Sequence, residues 1–178
     1  MDIWQQIIAL DKTVFIEINN CHSAYFDSFM YNVSKVGIWA FFYLSVVFIA
    51  FRSYNKKAWI IILLLILCVI LTDQISVYIK ETVGSIRQSH NKDLTDIIHL
   101  IHNKKGGLYG FVSSHAANVI GFATLSSLFF KNKIYTLTVS IWAILICYSR
   151  IYLGMHYPLD CIGGAITGII IAYAIYFL

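Results

Sequence analysis

Apolar residues run through this chain in long blocks, and polar positions gather mostly where one block ends and the next begins. Over residues 3–18 the apolar positions recur at helical spacing, with Ile3, Ile7, Val14 and Ile18 beside Trp4, Ile8 and Phe15, and Gln5, Lys12 and Glu17 opposite. That period predicts an amphipathic helix lying in an interface, followed by a turn at "NNCH". Phe29 to Phe51 is polar at its start and apolar from Val36 onward, which predicts a first spanning helix closed by Arg52, Lys56 and Lys57. Trp59 to Ile79 predicts a second span of roughly 20 residues, about 30 Å at the helical rise, with Asp73 near its far end. A third runs from near Ser114 to Lys131 and is short enough that its start is expected below the membrane surface. After the tight turn "KNK" come a fourth span, Ile134 to Tyr148, and a fifth, Leu159 to Leu178, where Gly164 and Gly168 would admit a neighbouring helix closely.

One polar connection, from after Lys80 to about Val112, is too long for a simple turn. Within it "DLTDIIHLI" puts Leu94, Ile97, Ile98 and Ile101 on one helical face, predicting a short surface helix. The expected fold is an all-α integral membrane helical bundle of about five to six transmembrane helices with an amino-terminal interfacial helix. It forms a single membrane-embedded domain over residues 1–178, with 1–22 as the interfacial helix and turn and 80–112 as an extramembrane loop carrying part of a site.

Composition agrees: 59% of the 178 residues are hydrophobic and 12% charged, outside the usual mixture of a soluble domain. Because apolar runs recur along the whole length, a cleaved leader followed by a soluble body does not describe the chain. The net charge of +4 is scattered, which argues against a nucleic-acid partner. Cys68 and Cys147 fall inside apolar runs and Cys21 and Cys161 near their ends, a spacing that indicates neither a disulfide framework nor a metal site.

If each run crosses once, the end of the second span, the start of the third, the end of the fourth and the start of the fifth share one side. Lys80, Arg87, Ser113, His115, Arg150, His156 and Asp160 all fall there. The opposite loops, "RSYNKK" and "KNK", are short and dense in cations, which places them in the cytoplasm, although Lys92, Lys104 and Lys105 lie on the other face.

Three polar clusters carry candidate chemistry. In "MHYPLD", Pro158 suits the first turn of a helix, so Asp160 occupies its third position and can reach back to accept from His156. The alternative is an ordinary cap beside an interfacial histidine. In "FVSSHAAN", Ser113 or Ser114 caps a helix start whose free N–H groups and dipole suit a phosphate, with His115 in the first turn; plain serine capping is the alternative. In "KETVGSIR", Lys80 and Arg87 are seven residues apart and would point the same way on a continuous helix, though Gly84 interrupts it. Read singly, these cations and Arg150 also suit headgroup or snorkelling anchors. Together, cations, a helix start and two histidines match a tetrahedral dianion. His99 and His102 read as a solvated face, Lys35 as a snorkelling side chain, and Asp73 as a support behind Lys80.

Lys80 with Arg87, "SSH" at Ser113 to His115, and Arg150 with His156 and Asp160 resemble the three signature motifs of the type 2 phosphatidic-acid phosphatases, membrane enzymes related in fold to vanadium haloperoxidases. The third motif matches in full. The first has Gln88, and the second Val112, where the family usually has proline, and Ser114 stands where glycine is common. The resemblance covers roughly residues 28–178.

It implies His156 as nucleophile, Asp160 orienting it, and His115 as general acid and then base. Lys80, Arg87, Ser113, Ser114 and Arg150 would hold the phosphate oxygens, with no cofactor or metal required. The implied substrate is a lipid phosphate: undecaprenyl diphosphate, phosphatidylglycerol phosphate, phosphatidic acid or a lipid A phosphate, with the reading favouring the first two. The implied location is a bacterial inner membrane with the site facing the periplasm. An intramembrane serine protease using Ser113 and His156, and a non-catalytic carrier of anionic lipids, are the competing readings.

Overall fold

In the computed structural model, which describes residues 2–91, 94, 97–101 and 105–178, seven α-helices follow one another without a sheet among the described residues. They are α1 (Ile3–Asn20), α2 (Ala24–Val33), α3 (Ala40–Tyr54), α4 (Ala58–Val83), α5 (Ser114–Phe130), α6 (Lys133–Tyr152) and α7 (Pro158–Tyr176). By length and composition, three stretches among the described residues can cross a membrane: Val36–Val83, which folds back on itself as α3 and α4, then Lys133–Tyr152 and Pro158–Tyr176. Large apolar side chains such as Phe41, Phe48, Leu63, Ile144 and Ile170 face outward along these helices, as a chain solvated by lipid requires.

The first predicted span is not one helix. Between Val33 and Ala40 the chain leaves the α-helix at Ser34 and Lys35 and passes through a 3-10 turn at Val36–Trp39. The break is held from outside the local sequence pattern. Trp39 Nε1 donates to the Val33 carbonyl at 2.8 Å, and its ring packs edge-on against Trp142 of α6. The Phe29–Phe51 run therefore falls in two helices, α2 and α3, joined by the 3-10 turn.

The second span is longer than expected. α4 has 26 residues, roughly 39 Å, and carries Lys80 inside its last turn; the connection to α5 thus begins at Gly84 rather than at Lys80. Gly84, at φ +63°, ends the helix with its amide on the Lys80 carbonyl. At 17 residues α5 is about a third shorter.

α5 and α7 pack most intimately. A Cβ placed on Gly164 would lie 2.4 Å from the Ser113 carbonyl oxygen, and one on Gly168 2.4 Å from that of Ala117. Glycine alone permits this approach. Part of the surface helix expected over 94–101 lies outside the described residues; those described there make turns, with the Ile97 and Ile98 amides both on the Leu94 carbonyl.

α1 packs into the fold. Its Phe15 is fully buried against Tyr157, with ring centres 5.0 Å apart. Asn19 donates to the carbonyls of Tyr152 and His99, and Asp11 accepts from the amide of Leu159 at 2.9 Å. The amino-terminal helix thus grips both sides of the turn between α6 and α7.

Candidate active site

That turn is the centre of the site. Pro158 opens α7 and Asp160 follows in its first turn, so the carboxylate folds back over the helix start. Asp160 Oδ2 accepts from the Tyr157 amide at 3.0 Å and lies 3.3 Å from His156 Nδ1. On the other edge of the imidazole, Nε2 lies 3.3 Å from Arg87 Nη1. Arginine can only donate, so Nε2 must be the acceptor and the ring proton sits on Nδ1, shared with Asp160. This tautomer leaves a lone pair on Nε2. Burial, the largest influence, and the positive charge of Arg87 and Arg150 push the His156 pKa below its usual value, against the opposing pull of Asp160.

Arg87 reaches this position after α4 has ended, so it is not stacked on Lys80 along a helix. Its backbone pairs with the returning strap, Arg87 N on the Leu108 carbonyl and Gly110 N on the Ser85 carbonyl, each at 2.8 Å. The guanidinium donates to the carbonyls of Met155 and Tyr109, while its Nε is buried without a partner among the described residues. Burial pushes its pKa down, with Asp160 opposing.

Gln88, one residue on, is 1% exposed and donates from Nε2 to Asp160 Oδ2 at 3.1 Å. Three donors therefore converge on a single carboxylate oxygen. The sequence marks Gln88 only as a departure from proline; the contact joins residues 72 apart.

Ser113 caps α5, its hydroxyl accepting from the Ala116 amide and its own amide donating to the Asp160 carbonyl at 2.9 Å. It is fully buried, and Ser114, not Ser113, lines the open cavity. The Ser114 hydroxyl accepts from Lys80 Nζ. Among the described residues the amides of Ser114 and His115 have no partner, as the first turn of a helix dictates.

The cavity, about 400 Å³, brings together Lys80, Arg87, Ser114, His115, Arg150 and His156. Asp160 and Ser113 stand behind its wall. Asp73 also lines it, but its carboxylate accepts from Asn118 Nδ2 at 3.5 Å, and Asn118 in turn accepts from Thr72. Lys80 turns to Ser114 instead. Arg150 donates to Ser34 at 3.3 Å across the break between α2 and α3, and its Nε is buried without a partner among the described residues. His99 lies apart, 2.8 Å from Asp27, whose other oxygen accepts from Tyr152; His102 is outside the described residues.

Asp11, which drew no reading in the sequence, caps the helix that carries Asp160. An acid on a half-polar helix gives no local sign of a partner 148 residues away.

The PAP2 superfamily matches residues 57–178. A lipid A 4'-phosphatase of Porphyromonas gingivalis is 32% identical over 176 residues, covering 97% of this chain and 74% of that protein. A lipid A 4'-phosphatase of Bacteroides thetaiotaomicron is 30% identical over 172 residues, 95% of this chain and 76% of that protein. The crystal structure of Aquifex aeolicus LpxE aligns at TM-score 0.75 and 24% identity over 95% of this chain and 96% of that one. A transmembrane PAP2-type phosphatidylglycerolphosphate phosphatase from Bacillus subtilis aligns at TM-score 0.73 and 17% identity, over 97% and 85%. These two likenesses establish the shared fold.

Proposed function

The chain belongs to the PAP2 superfamily and is a lipid phosphate phosphatase; we propose that it removes a phosphate monoester from a lipid A-type glycolipid through a phosphohistidine on His156. The observation that carries the mechanism is the His156 ring, held by Asp160 at Nδ1 and offering Nε2 to a cation-lined cavity. The sequence alone favours undecaprenyl diphosphate or phosphatidylglycerol phosphate. The two relatives at 32% and 30% identity move the proposal to lipid A.

Substrate phosphate entering the cavity takes over the Arg87 donor that rests on Nε2, which frees the lone pair. Nε2 then attacks phosphorus while the bond to the leaving oxygen breaks, and His115 gives that oxygen a proton. Asp160 stabilises the imidazolium that forms. His115 next takes a proton from water, the hydroxide attacks phosphorus, the P–N bond breaks, and inorganic phosphate departs. Lys80, Arg87, Arg150 and the amides of Ser114 and His115 hold the equatorial oxygens as charge redistributes. These cations supply the charge neutralisation that a divalent ion gives in many phosphoryl-transfer sites.

In this reading the apolar helices α3 to α7 cross the bilayer, α1 lies along the site end, and the lipid tail stays in the membrane while its phosphate enters. A serine-protease reading loses its nucleophile, because the Ser113 hydroxyl is buried in a helix cap outside the cavity.

The test is phosphate release from lipid A, undecaprenyl diphosphate, phosphatidylglycerol phosphate and phosphatidic acid by purified protein in detergent with EDTA present. Release is expected from lipid A first, to be abolished in His156→Ala and lowered less in Asp160→Asn, whose amide oxygen can still orient the ring. Full activity of His156→Ala, or loss on chelation that a divalent ion restores, overturns the mechanism.

A further inference from the structure

The break between α2 and α3, which the apolar run conceals, directs polar groups toward the site instead of toward lipid. Ser34 meets Arg150, and Lys35 lines a second pocket of about 390 Å³ that shares Gly106 and Arg150 with the catalytic cavity. Lys105 lines it from the other side. We propose that this pocket is a second anion subsite, holding a further phosphate on the same headgroup whose scissile phosphate lies against His156. The inference rests on the lipid-phosphatase reading and narrows it to doubly phosphorylated substrates.

Charge is the first argument. Among the described residues no carboxylate lies within ion-pair distance of Lys35, Lys105 or Arg150, the ion pairs there being His99 with Asp27 and His156 with Asp160. Among the described residues Lys35 Nζ has only neutral company, Asn32 Oδ1 at 3.3 Å and the Tyr31 ring centre at 4.2 Å. A concave surface with this uncompensated positive charge attracts a multiply charged anion.

The lining that the two pockets share is the second argument. Gly106 and Arg150 belong to both, and the strap at Gly106 lies directly on Arg87, which lines the first pocket. Gly106 has φ +68°, and a Cβ there would sit 3.1 Å from Arg87 Nη1. The strap is tied from the Arg87 side: Ser89 Oγ donates to the Lys105 carbonyl, and His90 Nε2 lies 3.2 Å from the Gly106 carbonyl oxygen. The segment that closes the first pocket therefore delivers the Lys105 ammonium to the second. Lysines that merely anchor the protein to headgroups would face outward; these two share a concave surface with Arg150.

The test uses full-length protein in detergent and three substrates: a lipid monophosphate, a lipid diphosphate and a glycolipid bearing two separate phosphate monoesters. Wild type is expected to favour one of the doubly phosphorylated lipids over the monophosphate in kcat/KM. Which of the two it favours tells whether the second phosphate is adjacent or remote. Because both lysines are exposed, each is expected to contribute a few-fold, so Lys35→Ala with Lys105→Ala lowers the ratio about tenfold. Lys105→Glu alone lowers it further than Lys105→Ala, and Lys35→Arg keeps it. An equal loss on all three substrates, an unmoved ratio, or a wild type that prefers the monophosphate overturns the inference while leaving phosphate release in place. Absence of release from every lipid would remove the lipid-phosphatase reading, and this inference with it.

Discussion

Three donors meet at Asp160 Oδ2, and only one of them is His156. The carboxylate's pull on the imidazole is therefore divided, and Gln88 takes part of it. Replacing Gln88 by leucine removes a hydrogen bond to a charged group and leaves Asp160 freer to stabilise the His156 imidazolium. The sign follows: the His156 pKa, held below its usual value by burial, rises, so the proposed nucleophile is protonated at a higher pH. The acid limb of kcat/KM is expected to move to higher pH in Gln88→Leu, with kcat/KM lower by about tenfold. Gln88→Glu, which puts a second carboxylate against Asp160, should depart further. An unmoved pH profile would reduce Gln88 to a packing residue.

At the scale of elements, α1 is the part whose role was hidden. Its apolar period is visible in the sequence, but the groups that tie it down, Asp11, Phe15 and Asn19, find partners on the α6–α7 turn and the 97–101 segment. Asp11 caps α7 through the Leu159 amide, yet burial, the largest influence, pushes its pKa up. A carboxyl raised in the folded state contributes stability that is present below its unfolded pKa and lost as pH rises through the folded one. At neutral pH the ionised cap is therefore penalised, whereas the accepting oxygen remains useful. Asp11→Ala is expected to lose about 1 kcal/mol of stability and to lower turnover, while Asp11→Asn retains an acceptor without the charge and is neutral or slightly stabilising. Thermal unfolding of the three proteins in one detergent checks this. Equal Tm values for Asp11→Ala and wild type would mean that the contact does not secure the turn.

The same contrast governs what was legible. Lys80, Arg87, His115, Arg150, His156 and Asp160 could be picked out because motif spacing and helix-start chemistry are local properties of the chain. Gln88 and Asp11 work through residues 72 and 148 positions away. The break at Ser34 escaped for a related reason: Val36 onward is as apolar as a spanning helix, and the turn is held by Trp39 packing on Trp142. The length of α4 escaped because Lys80 looks like the end of a span, while the helix stops only where Gly84 adopts a positive φ.

For the whole molecule, the polar groups gather at one end of the bundle and the short cationic connections at the other. Arg52, Lys56 and Lys57 follow α3, and Lys131 and Lys133 join α5 to α6, all remote in the fold from the turn that holds His156. By the positive-inside tendency, short loops rich in lysine and arginine are expected on the cytoplasmic side, which would put the proposed catalytic cavity outside. Cysteine labelling can test this, since Cys68 and Cys161 are buried, Cys147 is only partly exposed, and exposed Cys21 can be removed as Cys21→Ser. In that background, Leu108→Cys on the exposed strap is expected to react with an impermeant maleimide in intact cells, and Lys131→Cys only after permeabilisation. The reverse pattern would put the site in the cytoplasm. Any substrate presented from the outer leaflet would then be out of reach, because the phosphate must enter the cavity from the end of the bundle at which Arg87 and Arg150 stand.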